Sequence, residues 1–275
     1  MFKDITIGQY IAGKSVIHRM DARLKLILTL LYIIFLFLIS KPVSYLVVTA
    51  LTVFIILLSR ISVKYFLKGL RPMLVIIIFT VIINLFFTAG TPIWQADIFG
   101  LGIRITKEGV KLGVTILVRL TLLVCGTSLL TLTTSPIMLT DAIESVLTPL
   151  KIFKVPSHEI AMMMSIAIRF IPTIAEEADK IIKAQKARGA DFESGNIIMR
   201  AKAMIPLLVP LFVSAFRRAD ELATAMECRC YHGGNGRTRM KILKMKFRDY
   251  FMIFISIAMM AGVILINLYA GGYTL

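Results

Sequence analysis

LGVTILVRLTLLVCGTSLLTL, residues Leu112 to Leu132, has no Asp or Glu and a single ion, Arg119. A helix rises 1.5 Å per residue, so this stretch reaches about 30 Å, the thickness of a bilayer's hydrocarbon core. Four more stretches read the same way: Leu24 to Ser40, Val43 to Ser59, Pro72 to Thr88 and Tyr250 to Ala270, again without a carboxylate. Together they predict an all-α membrane protein with about five transmembrane helices.

Composition agrees. Of 275 residues, 57% are hydrophobic, more than a soluble domain of this size can bury. Lys and Arg number 32 against 16 Asp and Glu, a balance that in a soluble chain would point to nucleic acid. The placement of the charges points elsewhere. Five fall within residues 1–25, only Lys41 separates the first two runs, and four lie from Arg60 to Arg71. Arg104, Lys107 and Lys111 precede the fourth run, eighteen lie between residues 151 and 248, and none follows Arg248.

Positive charge marks the cytoplasmic side of short loops. The expected layout is a cytoplasmic N-terminal segment (1–23), transmembrane helices one to four (24–132), a cytoplasmic domain of long helices inserted between spans four and five (133–249), and a fifth span with an extracellular C-terminus (250–275). The basic excess then belongs to topology in a cell membrane, with the lipid bilayer as partner and no nucleic acid. No small-residue cleavage site follows the first apolar run, so a removable signal peptide is not expected. Cys125, Cys228 and Cys230 are too few for a disulfide framework and are read as reduced thiols.

Within the cytoplasmic stretch, Ile160 to Ala175 is interrupted by Arg169 and Pro172, and Ala203 to Phe216 by Pro206 and Pro210. Both are short for a span and read as buried or interfacial helices. Each runs into a charged half, EEADKIIKAQKARGAD and RRADELATAMECRCYHGG. A shift of 41 residues lays Ala178 and Asp179 over Ala219 and Asp220, and Arg188 over Arg229. Gly189 follows the first Arg, and Gly233 and Gly234 the second; glycine past a helical run is the usual stop. Both arginines are therefore expected at helix C-termini. A solvated basic face is the bland alternative, but matched arginines resemble two prongs, and the planar guanidinium makes bidentate bonds while staying charged.

These residues resemble the T component of energy-coupling factor (ECF) transporters, the EcfT/CbiQ family, over nearly the whole chain. The resemblance rests on Ala187-Arg188-Gly189 and its variant Cys228-Arg229-Cys230. It rests also on an N-terminal pattern met by Gly8, Tyr10, Gly13, Ser15, His18, Asp21, Arg23 and Lys25, and on TLTTSP (Thr131 to Pro136) and AMECRCYHGG. It implies a non-catalytic scaffold whose two Arg motifs dock into two cytoplasmic ABC ATPase subunits and whose helices hold a membrane S component that binds a vitamin or other micronutrient. Arg229 is expected as the contact of the second motif, its cysteine neighbours being less telling.

Other signals are weighed against plainer roles. Cys228, Cys230 and His232 form C-x-C-x-H, but thiols two apart on a helix diverge by about 200° and no further ligands lie nearby, so no metal or other cofactor is expected. Arg119 either snorkels or pairs inside the protein, as an intramembrane contact or one to the S component; it is expected to face protein. Asp179 and Asp220 are read as helix-surface charges paired with Lys183 and Thr224 or with neighbouring helices, Asn84 as a helix–helix hydrogen bonder, and Met162, Met163 and Met164 as adaptable packing.

GQYIAGKS, Gly8 to Ser15, matches the phosphate-loop pattern, yet a working loop needs a strand before it and a helix after it. Only seven residues precede Gly8, so the match is read as accidental. A self-contained carrier or channel is the alternative function, disfavoured by spans without carboxylates. A membrane enzyme would need clustered catalytic groups, whereas His18, His158 and His232 fall in separate segments, so no catalytic residue is expected.

Overall fold

The structure, a computed structural model, describes residues 10–98, 101–153, 156–190, 192, 196–233, 245 and 247–269. It divides into two units, one of residues 8–139 with 243–275 and one built on residues 140–242.

In the first unit, Asp21 opens α1 (Ala22–Leu38) by accepting a hydrogen bond from the Arg23 amide, and Pro42 starts α2 (Pro42–Ser59) where a missing N–H costs nothing. After Arg60 the chain forms a short helix, α3 (Val63–Leu70), a 3-10 turn over Arg71–Met73, and α4 (Leu74–Phe87). The break falls at Pro72, which cannot donate to the preceding turn. The basic loop expected from Arg60 to Arg71 is thus partly helical, with Phe66 buried against Ile61 and Leu132. Thr106 caps α5 (Lys107–Thr133) through the Gly109 amide, and α9 (Phe247–Tyr269) completes the unit.

Between α4 and α5 lies an antiparallel hairpin, β1 (Pro92–Ile98) with β2 (Leu101–Thr106), a small addition to the helical body. The core gathers Phe35, Leu36, Ile39, Tyr45, Val48, Leu122 and Val263 from α1, α2, α5 and α9. Gly109 and Gly113 bring α5 close to α4: a methyl on Gly109 would lie 2.9 Å from the Asn84 carbonyl oxygen. Small residues four apart serve this purpose in membrane helices. Asn84 donates to the Thr80 carbonyl of its own helix at 2.8 Å, not across to another. Large apolar side chains such as Leu46, Phe54, Val75, Phe79 and Phe87 are exposed, the surface of a protein solvated by lipid.

In the second unit, α6 (Pro136–Leu147), which crosses the boundary, leads through a 3-10 stretch (Thr148–Phe153) to α7 (Ser157–Ala187) and α8 (Ile197–Glu227). The internal prolines do not end these two helices, each 31 residues long. By length and apolarity they therefore qualify as possible spans beside α2, α3–α4 and α5, whereas α1 has 17 residues and the apolar part of α9 is the shorter Asp249–Leu265. The five longest apolar helices are not the five runs picked out from sequence. Apolar halves that are too short alone gain length from their charged continuations.

Candidate functional site

The two repeat units end in the same backbone geometry. At the end of α7 the Gly189 amide donates to the Lys186 carbonyl and the Ala190 amide to the Gln185 carbonyl, both at 3.0 Å. At the end of α8 the Cys230 amide donates to the Glu227 carbonyl at 2.8 Å and the Tyr231 amide to the Met226 carbonyl at 3.0 Å. Each pair is a Schellman closure, which needs one residue in the left-handed conformation. Gly189 takes it at φ 86° and Cys230 at φ 54°. The residue just before, Arg188 or Arg229, occupies the same position in each closure.

The α8 stop is therefore Cys230, ahead of Gly233, and Gly234 lies outside the described residues. Cys230 has a conformational duty that the sequence reading discounted. The angular case against shared thiol ligands also changes, because α8 stops at Glu227. Among the described residues no three His, Cys, Asp or Glu side chains come together as a metal cluster.

Ala187, Arg188, Gly189, Cys228, Arg229 and Cys230 are all exposed. Each guanidinium sits at the negative end of a helix dipole. Glu177 and Arg218, also 41 positions apart, join the two helices: Arg218 Nη2 lies 2.7 Å from Glu177 Oε2, and the Ser214 hydroxyl donates to Glu177 Oε1. The ion pair thus joins equivalent positions of the repeat. Ile166 and Phe170 of α7 share a groove with Leu222 and Met226 of α8, so the helices run past each other in opposite senses. Arg188 and Arg229 then lie eleven residues beyond the crossing on opposite sides, up to about 33 Å apart by helical rise.

Asp179 and Asp220 do not pair as expected through their carboxylates. Thr224 Oγ1 donates to the Asp220 backbone carbonyl at 2.9 Å, the usual threonine back-bond within a helix.

In the first unit the N-terminal pattern folds into a compact polar knot. His18 Nε2 donates to the Ile11 carbonyl at 3.0 Å, so Nδ1 accepts from the Ser15 hydroxyl at 2.6 Å. The imidazole covers Gly13, where a Cβ would lie 2.6 Å from His18 Cε1. Burial lowers the His18 pKa below its usual 6.5; the Lys25 ammonium adds to the shift and the Ile11 carbonyl opposes it. The Ile11 amide reaches the Leu132 carbonyl at 3.0 Å, so the described part of GQYIAGKS, Tyr10 to Ser15, is an irregular segment clamped to TLTTSP. Gly8 is outside the described residues.

Arg119 faces protein. Its Nε donates to the Tyr45 hydroxyl at 2.8 Å and Nη2 to the Ile39 carbonyl at 3.2 Å, with its guanidinium carbon 5.7 Å from the centre of the Phe37 ring. Ile39 follows the last residue of α1. The cation therefore satisfies a carbonyl at the negative end of a helix.

These features define a multi-pass membrane protein that carries a pair of crossed helices with matched arginine ends. The family profile described as "Cobalt transport protein" (CbiQ) matches residues 13–242. A protein of Ruminiclostridium cellulolyticum named energy-coupling factor transporter transmembrane protein EcfT is 55% identical over 267 residues, covering 97% of this chain and 98% of its own. Proteins with the same name from Clostridium kluyveri (51% over 252 residues, 91% and 92% covered) and Streptococcus thermophilus (46% over 265, 96% and 98%) are also similar. The chain belongs to this family, the transmembrane T components of ECF transporters.

Proposed function

We propose that this subunit is the non-catalytic scaffold that couples two cytoplasmic ABC ATPase subunits to a membrane S component, for ATP-driven uptake of a vitamin or other micronutrient. The observation that carries the proposal is the repeated helix end: two exposed arginines in the same Schellman geometry, at matched positions of a repeat whose helices cross at Glu177 and Arg218. Such a pair suits two copies, or two similar subunits, of a partner. Arg188, flanked by Ala187 and Gly189, enters one ATPase; Arg229, flanked by Cys228 and Cys230, enters the other. Each makes charge-assisted bonds with its planar fork.

In this arrangement residues 133–249 are cytoplasmic, α7 and α8 being coupling helices and not spans, and α1, α2, α4, α5 and α9 cross the bilayer. The charged halves of α7 and α8, with Glu176, Glu177, Asp179, Lys180 and Lys183 on α7 alone, favour water or a protein surface over lipid. Arg188→Glu/Arg229→Glu is expected to abolish co-purification of the ATPase subunits while membrane insertion is unchanged. ATPase subunits retained at wild-type stoichiometry in a pull-down on that double variant would defeat the assignment.

A further inference from the structure

Lys25 is buried, with 7% of its surface exposed. Its ammonium has three hydrogens and three acceptors: the Thr133 carbonyl at 3.0 Å, Thr134 Oγ1 at 3.4 Å and the His18 carbonyl at 3.5 Å. Two of these belong to the link between α5 and α6, the third to the N-terminal segment. Asp21 and Asp249, themselves buried at 8% and 4%, supply the compensating charge. Asp249 Oδ1 also accepts from the Asp21 amide at 3.4 Å, which brings in the first turn of α9.

Packing alone would be served better here by an apolar side chain, since a buried ion pair seldom outdoes hydrophobic residues of its volume. What the lysine adds is connection. The tie sits at Thr133, the last residue of α5, and Thr134, two residues before Pro136 opens α6. Motion delivered through α6 would be absorbed at this link if nothing held it.

We propose that Lys25 is a positioning residue for energy coupling: it fastens the α5–α6 link to the N-terminal segment so that the two respond together. This deepens the scaffold function proposed above and rests on it. The test is hydrogen–deuterium exchange on the complex purified through this subunit with its ATPases, compared without nucleotide and after trapping with Mg-ATP and vanadate.

In the unaltered complex, trapping should change deuterium uptake at residues 131–139 and 10–25 together. Lys25→Met/Asp249→Asn loses the tie and removes one buried charge of each sign, while Asp21 keeps Arg23 Nε at 3.9 Å, so it should stay folded and hydrolyse ATP. Its exchange response at residues 10–25 should be lost, while that at 131–139 persists. Lys25→Arg, which keeps the donors, should respond as the unaltered chain does. A full response at residues 10–25 in the double variant would overturn the inference and leave the scaffold function standing. No response at either segment in the unaltered complex would overturn the scaffold function, and the role of Lys25 with it.

Discussion

Gly189 and Cys230 do the same work with unequal ease. Both hold a left-handed backbone one residue past the arginine, and nothing lies within 4 Å of a Cβ built on Gly189. A substitution there meets only the backbone cost, about 1 kcal/mol for a non-glycine residue in this region. Gly189→Ala is thus expected to destabilise the purified chain by about that amount, and Cys230→Gly to stabilise it by a similar or smaller amount, both read from denaturant midpoints at constant m-value. The sequence pattern A-R-G against C-R-C makes the second motif look degraded. The hydrogen bonds show it intact, because cysteine is small enough to be held in the same cap, and only the dihedral angle, which a residue letter does not display, could reveal this. The N-terminal pattern is a similar case: its letters announce a family, but not that Ser15, His18 and Gly13 pack on one another, and that Lys25 meets Thr133 and Thr134 depends on contacts over more than one hundred positions.

α7 and α8 cross at an ion pair between equivalent positions of the repeat, with side chains 26–33% exposed. Because Glu177 and Arg218 are equivalent positions, exchanging them should preserve the contact. Glu177→Arg alone sets two guanidinium groups against each other and is expected to reduce ATPase co-purification severalfold; adding Arg218→Glu should restore most of it, and the four proteins form a double-mutant cycle. Retained co-purification in the single variant would show that the crossing is held by its apolar groove. The helices themselves were legible in the sequence: five apolar runs, the 41-residue repeat and arginines at helix ends all follow from local composition and capping. The helical α3 and the close α4–α5 packing were less so. Lys64, Lys68 and Arg71 make the segment look like a loop, and the Gly109-Val-Lys-Leu-Gly113 spacing that signals close approach straddles the start of the apolar run, with Gly109 among charged residues before it. The hairpin lay in a segment where neither strand is long enough to stand out.

At the scale of the whole molecule, topology separates the proposed coupling unit from an alternative in which α7 and α8 cross the bilayer, as their length would permit. The charge count predicts that Lys41, alone between α1 and α2, lies outside, and that the cluster at Arg60–Arg71 and everything from residue 151 to 248 lies inside. The chain carries its own probes. Cys228 and Cys230 are exposed at the tip of α8, while Cys125 is half-buried within α5 and can be replaced by Ser. In intact cells a membrane-impermeant maleimide is expected to leave Cys125→Ser unlabelled and to label it at Cys228 and Cys230 once the membrane is permeabilised. Adding Lys41→Cys should create labelling before permeabilisation, which shows that the reagent reaches the outer face. Labelling of Cys228 or Cys230 in intact cells would put the second arginine on the wrong side of the membrane for a cytoplasmic ATPase. No adjustment of the helix-end geometry could then rescue the coupling role, because a docking prong must share a compartment with the subunit that hydrolyses ATP.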